Sequence, residues 1–253
     1  MIQIDIKEIV KIAVSAGEAI LEIYNASVPA AVILKEDNSP LTLADERSHA
    51  VIMEGLTSLY PDIPVLSEEG SQIDYEVRKN WTRYWCVDPL DGTKEFIKRN
   101  GEFTVNIALM ENNKPVLGVI YAPVLNDIYY GTISGGSWMQ IPGGEVVQIK
   151  ADHDAKEWLA IGSRSHADED EEKVLQEFPV TGKLSIGSSL KFCLIACGKA
   201  HIYYRKGPTM EWDTAAGHAI ALGSGAIMFN ADRTEFIYNK PSLLNPGFFC
   251  RIK

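Results

Sequence analysis

The chain has 253 residues, 46% of them hydrophobic, with 34 acidic against 24 basic side chains and a net charge of −10. That length and composition suit a globular protein with a sizeable core, in one large or two small domains, and exclude the membrane-spanning and disordered classes. The charge argues against a nucleic-acid polymer or an anionic membrane as partner, because either needs a basic face. From the N-terminus, Ile9, Ile12, Ala13, Ala16, Ile20 and Ile23 recur at helical spacing, so residues 5–26 read as an amphipathic helix. Asp5, Lys7, Glu8 and Lys11 interrupt any signal-peptide core. A short strand is expected over residues 31–34, then a polar loop over 35–42 and a helix over about 43–59. Thr42 and Asp45 have the spacing of a capping box, in which the acid reaches back to the cap amide.

An apolar run over 63–66 leads into Ser67-Glu68-Glu69-Gly70. A second run, 82–87, is aromatic and β-branched enough for a buried strand, which Pro89 should end, so that Asp88 and Asp91 emerge at its carboxyl end. Gly92 and Thr93 then open a short helical stretch whose free amides suit an anion. On its own, Asp88-Pro89-Leu90-Asp91-Gly92 also reads as a simple turn. Paired carboxylates beside an anion site instead suggest a divalent metal holding phosphate, and further acids favour that reading.

Residues 103–109, 116–121, 127–133 and 146–149 read as strands whose short connections favour antiparallel pairing. From about 159 the pattern alternates: strand 159–161, helix 168–177, strand 184–186, a helix from 188, strand 202–204, helix 213–222 and a last strand near 227. Alternation predicts a sheet with helices on its faces. The boundary falls near residue 155, giving an α+β half over 1–155 and an α/β half over 156–253, with the active site between them. Cys86, Cys193, Cys197 and Cys250 form no C-x-x-C pair and read as reduced thiols of a cytosolic protein. Cys193 and Cys197 share a helical face and read as small buried hydrophobes, not a metal pair.

The Ser67-Glu68-Glu69-Gly70 block, the Asp88-to-Gly92 block and Trp212-Asp213-Thr214-Ala215-Ala216-Gly217 together resemble the lithium-sensitive, magnesium-dependent phosphomonoesterase superfamily. Inositol monophosphatase, fructose-1,6-bisphosphatase and the 3′(2′),5′-bisphosphate nucleotidases belong to it. The fold implied is their layered αβαβα sandwich. Ser163-Arg164-Ser165-His166, Gly187-Ser188-Ser189-Leu190-Lys191, Tyr204-Arg205-Lys206-Gly207-Pro208-Thr209 and Leu244-Asn245-Pro246-Gly247-Phe248 are similar to the bacterial CysQ branch, the bisphosphate nucleotidases. The inositol branch usually has Thr-Asn where Lys94-Glu95 stand. The resemblance covers most of the chain and is weakest over 112–157 and 224–242.

The resemblance implies a site with two or three Mg²⁺ ions, inhibited by Li⁺. Glu68, Asp88 and the carbonyl of Leu90 hold one ion; Asp88, Asp91 and Asp213 hold a second. Thr93 and Asp45 activate the attacking water, and the amides of Gly92 and Thr93 hold phosphoryl oxygens. The substrate contacts implied are Glu68, Asp91, Gly92, Thr93, His166, Ser188, Lys191, Arg205 and Asp213. Simpler readings stand beside these: Asp45 and Ser188 as helix caps, His166 as an exposed loop residue, Lys191 and Arg205 as solvated cations. The activity implied is hydrolysis of 3′-phosphoadenosine 5′-phosphate to AMP and phosphate, within sulfur metabolism. The alternative is an inositol monophosphatase or another small sugar-phosphate phosphatase. A catalytically silent nucleotide sensor would lack one of the five acids, and none is missing. The expected partner is the small bisphosphate nucleotide, without an integral membrane segment, in the cytoplasm; oligomeric state and peripheral association with the inner membrane stay open.

Overall fold

The computed structural model describes residues 3–26, 40–70, 73–163 and 169–253. The strand expected at 31–34, the loop over 35–39 and His166 lie outside them. Helix α1, Ile6–Ala26, buries the anticipated stripe from Ile9 to Ile23. Helix α2, Pro40–Leu59, starts earlier than expected. Thr42 therefore lies inside the helix and cannot cap it, which overturns the capping-box reading. Proline at a helix start is favourable because the amide it lacks has no partner there.

Strand β1, Val65–Ser67, and the short helix α3, Tyr75–Arg78, precede β2, Arg83–Asp91. Pro89 does not end β2. Asp88 lies opposite Asn106 and Asp91 opposite Thr104, so three steps on β2 face two on β3, Thr104–Glu111. This one-residue bulge accommodates a residue without an N–H and redirects the acids on either side of it. Helix α4, Thr93–Lys98, opens directly after Gly92 as anticipated. Strands β4, Lys114–Ala122, β5, Asp127–Thr132, β6, Gly136–Gln140, and β7, Val146–Ile149, complete a seven-stranded sheet in order β1 to β7. β1 and β2 are parallel and the remaining neighbours pair antiparallel, as the short connections of β3 with β4 and of β4 with β5 predicted. β6 was not anticipated, because its opening glycine reads as part of a connection.

The second sheet has order β11-β12-β10-β8-β9. It comprises β8, Trp158–Ser163, β9, Val180–Ile186, β10, Ile202–Arg205, β11, Ile227–Asn230, and β12, Phe248–Arg251. Helices α5, Glu169–Leu175, α6, Leu190–Ala196, and α7, Glu211–Gly223, alternate with its strands. β11 is not the last strand: β12 inserts between β11 and β10, antiparallel to both. Its four residues follow the Asn-Pro-Gly turn too closely to stand out as a separate strand in the sequence.

Period-two alternation divides the first sheet between two cores. Trp85, Val87, Val105, Ile107, Val119 and Tyr121 pack with α1 and α2, whereas Tyr84, Cys86, Ala108, Met110, Ile120 and Ala122 join α6 and α7. Each such large side chain contributes roughly 1.5–3 kcal/mol by leaving water. The second sheet lies beyond α6 and α7, and α5 packs on β10, which completes an αβαβα sandwich. The division proposed at residue 155 falls between β7 and β8, and each sheet draws its strands from one side of it. The core between the sheets draws on both halves. α7 lies directly on β4: a Cβ at Gly118 would meet the Ala216 carbonyl oxygen at 2.3 Å. That close approach carries Asp213, near the start of α7, to the ends of β1 and β2.

Candidate active site

Parallel pairing of β1 with β2 aligns Ser67 with Val87, so the next residue on each strand is an acid, Glu68 and Asp88. The Glu68 N–H donates to the Val87 carbonyl at 3.2 Å, which keeps the two strands together past the end of β1. Asp213 arrives from the second half, in the first turn of α7, where its Oδ2 accepts the Met210 N–H at 2.8 Å. A carboxylate oxygen from each of Glu68, Asp88 and Asp213 lies within 4.8 Å of the others. Burial pushes Asp88 well above the usual carboxylate range, and the charges of Glu68, Asp91, Asp213 and Asp45 add to it. Asp213 is pushed up to about 8 by burial, with Asp91 the next contributor. Like charges this close repel strongly unless a cation lies between them. Three oxygen donors with no nitrogen or sulfur suit a hard divalent ion that keeps waters of its own, so these residues fit Mg²⁺.

Asp91 stands beside this trio and is held mainly from the second half. Its Oδ2 accepts from Ser188 Oγ at 2.8 Å, from the Ser189 N–H at 2.7 Å and from Asn106 Nδ2 at 3.4 Å. The Leu90 N–H turns inward to Asp88 Oδ1 at 3.1 Å. Asp45 is buried on α2; it lies outside the trio, though its charge reaches Asp88. Two neighbours on α2 that the sequence did not single out fix the helix to the bulge and to β1. Ser48 Oγ donates to the Pro89 carbonyl at 2.7 Å, and His49 Nδ1 lies 2.9 Å from Ser67 Oγ. A polar residue on the inner side of an amphipathic helix was the available signal for Ser48.

A cleft of about 280 Å³ gathers Glu68, Asp88, Leu90, Asp91, Gly92, Thr93, Ser188, Lys191, Arg205 and Asp213 along its walls. Gly92 has φ +98, and a Cβ there would meet Phe103 Cα and Ser188 Cβ at 3.2 Å, so only glycine fits this corner. Lys191 and Arg205 are not solvated cations: each is about 6% exposed. Lys191 Nζ donates to the Ser188 carbonyl at 2.6 Å, and burial lowers its pKa to about 8 despite the Asp91 charge. The Arg205 Nε–H is buried without a hydrogen-bond partner among the described residues. Ser188 does not cap α6. The N-cap position belongs to Ser189, whose side chain makes no capping bond; the Ser188 hydroxyl accepts the adjacent Ser189 N–H at 2.6 Å and donates to Asp91. Thr104 and Asn106, which the sequence left unmarked in a strand, join the same network: Ser189 Oγ donates to Asn106 Oδ1 at 2.7 Å and pairs with Thr104 Oγ1 at 2.8 Å.

The model of the Inositol monophosphatase family matches residues 3–247, so the chain belongs to that family. Among its relatives is the 3′(2′),5′-bisphosphate nucleotidase CysQ of Escherichia coli (strain K12), 51% identical over 243 residues, spanning 95% of this chain and 97% of that protein. The crystal structure of CysQ from Bacteroides thetaiotaomicron superposes with a TM-score of 0.86 at 41% identity, covering 98% of this chain and 96% of the other. The inositol monophosphatase of Anabaena (Nostoc) sp. PCC 7120 shares the fold, with a TM-score of 0.73 at 23% identity over 97% and 88% of the two chains. No helix among the described residues is long and apolar enough to cross a membrane.

Proposed function

We propose that the chain is a Mg²⁺-dependent 3′(2′),5′-bisphosphate nucleotidase that hydrolyses 3′-phosphoadenosine 5′-phosphate to AMP and phosphate, in the cytoplasm. The observation that carries the reading is one cleft lined by two kinds of charged group, three converging carboxylates and the buried pair Lys191 and Arg205. A substrate with two phosphates answers both.

Glu68, Asp88, Asp213 and the neighbouring Asp91 would hold the ions, with the Leu90 carbonyl as a further oxygen donor. When bound there, Mg²⁺ supplies electrostatic stabilisation of the developing phosphoryl charge and lowers the pKa of a nearby water. Thr93 would orient that water through its hydroxyl, and the Asp45 carboxylate would receive the water's proton. The Gly92 and Thr93 amides orient the phosphoryl oxygens where Gly92 leaves the corner open. Lys191 and Arg205 take the phosphate that does not react, Arg205 through a planar donor array suited to phosphate oxygens. Binding energy from that remote phosphate steadies the reacting one, so the chain's own cations serve the rate as well as the affinity. Li⁺ is expected to inhibit, with Mg²⁺ relieving the inhibition, because Li⁺ has similar size and one charge fewer.

The test is phosphate release from 3′-phosphoadenosine 5′-phosphate, inositol 1-phosphate and a small sugar phosphate, each with and without Mg²⁺. Turnover of the bisphosphate nucleotide well above the others, abolished by chelation, is the expected result. Faster turnover of inositol phosphate would transfer the assignment to the inositol phosphatases.

A further inference from the structure

The loop before α6 touches both charged parts of the cleft through one residue. Ser188 has φ +56, a left-handed conformation disfavoured for any residue with a Cβ and freely available to glycine. In that conformation its hydroxyl reaches Asp91 Oδ2 at 2.8 Å, while its carbonyl accepts from Lys191 Nζ at 2.6 Å. The adjacent Ser189 N–H gives the same Asp91 oxygen a second donor at 2.7 Å, and Thr104 Oγ1 bonds both serine hydroxyls from β3. Asp91 belongs to the first half and all the residues of this loop to the second. Two of the three donors on Asp91 Oδ2, all but the longer Asn106 contact, come from this loop, so the way the other oxygen is offered to a cation depends on a loop whose next turn carries Lys191. Strain at a non-glycine residue in a functional cleft is a sign of a task that the side chain performs there.

From this geometry we infer that Ser188 is a positioning residue that couples cation binding at Asp91 to anion binding at Lys191. The inference rests on the nucleotidase reading for the identity of the anion. An anion on Lys191 holds the loop in place and with it the two donors on Asp91; a cation at Asp91 holds the same loop from the other side. Coupling of this kind is reciprocal by thermodynamic necessity.

AMP is the suitable probe, since its phosphate would occupy the Lys191 and Arg205 side and leave the reacting-phosphate position empty. Titration calorimetry gives the Mg²⁺ Kd with and without saturating AMP, and the AMP Kd with and without saturating Mg²⁺. In the wild type each ligand is expected to tighten the other by the same factor, about fivefold or more. Ser188→Gly removes the hydroxyl and the strain together; its coupling should fall below about twofold while its melting temperature stays the same or rises. Ser188→Ala should lose the coupling as well, with the strain retained. A Ser188→Gly protein that keeps the full coupling overturns the inference, as does one whose melting temperature falls, because the hydroxyl then serves the fold. Wild-type protein that binds AMP and Mg²⁺ independently overturns the coupling and leaves the nucleotidase reading standing. A wild type that does not bind AMP at any Mg²⁺ concentration overturns both.

Discussion

The acid and cation parts of the cleft are built in different ways. Glu68 and Asp88 sit side by side because two neighbouring strands run parallel in a register that continues one residue past β1. Lys191 and Arg205 lie at the start of a short helix and the end of a strand, and only the packing of the second half brings them to the same cleft, buried and close enough for the Arg205 charge to be felt at Lys191. Glu68 and Asp88 owe their convergence to strand pairing, whereas Asp213 and the two cations owe theirs to the packing of the second half. Both parts hold charge at a cost that a ligand of opposite charge removes, which is why a divalent cation and a phosphate belong together here.

The strongest way to break the acid part is Asp88→Asn. Loss of a ligand charge should lower kcat/KM for the bisphosphate nucleotide about 10³-fold, the equivalent of roughly 4 kcal/mol. The same change should raise the melting temperature of the metal-free protein, because asparagine, unlike the buried Asp88 carboxyl, has no ionised form in the unfolded chain that folding must reprotonate or desolvate. Phosphate-release kinetics and thermal melts in a chelator check the two opposite signs together. Asp45→Ala tests whether the acid part ends at the trio. A fall in kcat on the order of 10²-fold with little change in KM fits a group that takes a proton in the transition state. An unchanged kcat with a lower melting temperature would leave it a structural residue of α2.

The cation part is tested by replacing Lys191 and Arg205 together with Ala. At roughly 1.5 kcal/mol or more for each charge-assisted contact, kcat/KM for 3′-phosphoadenosine 5′-phosphate should fall about 10²-fold. A small monophosphate that never reaches them should lose only a few-fold. Equal losses on both substrates would show that the pair supports the shared site.

The smallest effect expected is on stability against pH. Asp213 is held at about 8 and Asp88 is also raised, so in the metal-free folded protein these carboxyls keep protons that the unfolded chain, titrating near 4, releases. The stability this confers is complete below about pH 4 and is lost as pH rises through about 8. The metal-free melting temperature should therefore drop between pH 5 and pH 8, by about 2–4 °C for each kcal/mol lost. Saturating Mg²⁺ should flatten that slope and Asp213→Asn should reduce it; a slope that neither alters would place its origin elsewhere in the molecule.

The sequence alone determined the residue types and the order of the site. Spacing placed acids at the ends of two apolar runs and at the start of a later helix, because strand and helix periodicities are local properties. Those three blocks also carried the family. What it did not determine was how Pro89 would be absorbed, since a bulge exists only relative to a partner strand, and β2 runs on to Asp91 because Asn106 and Thr104 face it with one residue fewer. The cap readings that stood beside the others for Thr42 and Ser188 fail for a related reason. A serine or threonine beside a helix start has a local amide within reach, and only the folded chain shows that the Ser188 hydroxyl, besides accepting the Ser189 N–H, donates to Asp91, 97 residues earlier. The burial of Lys191 and Arg205 and the insertion of β12 between two earlier strands were likewise decided by tertiary packing, because burial and strand order depend on residues far apart in the chain.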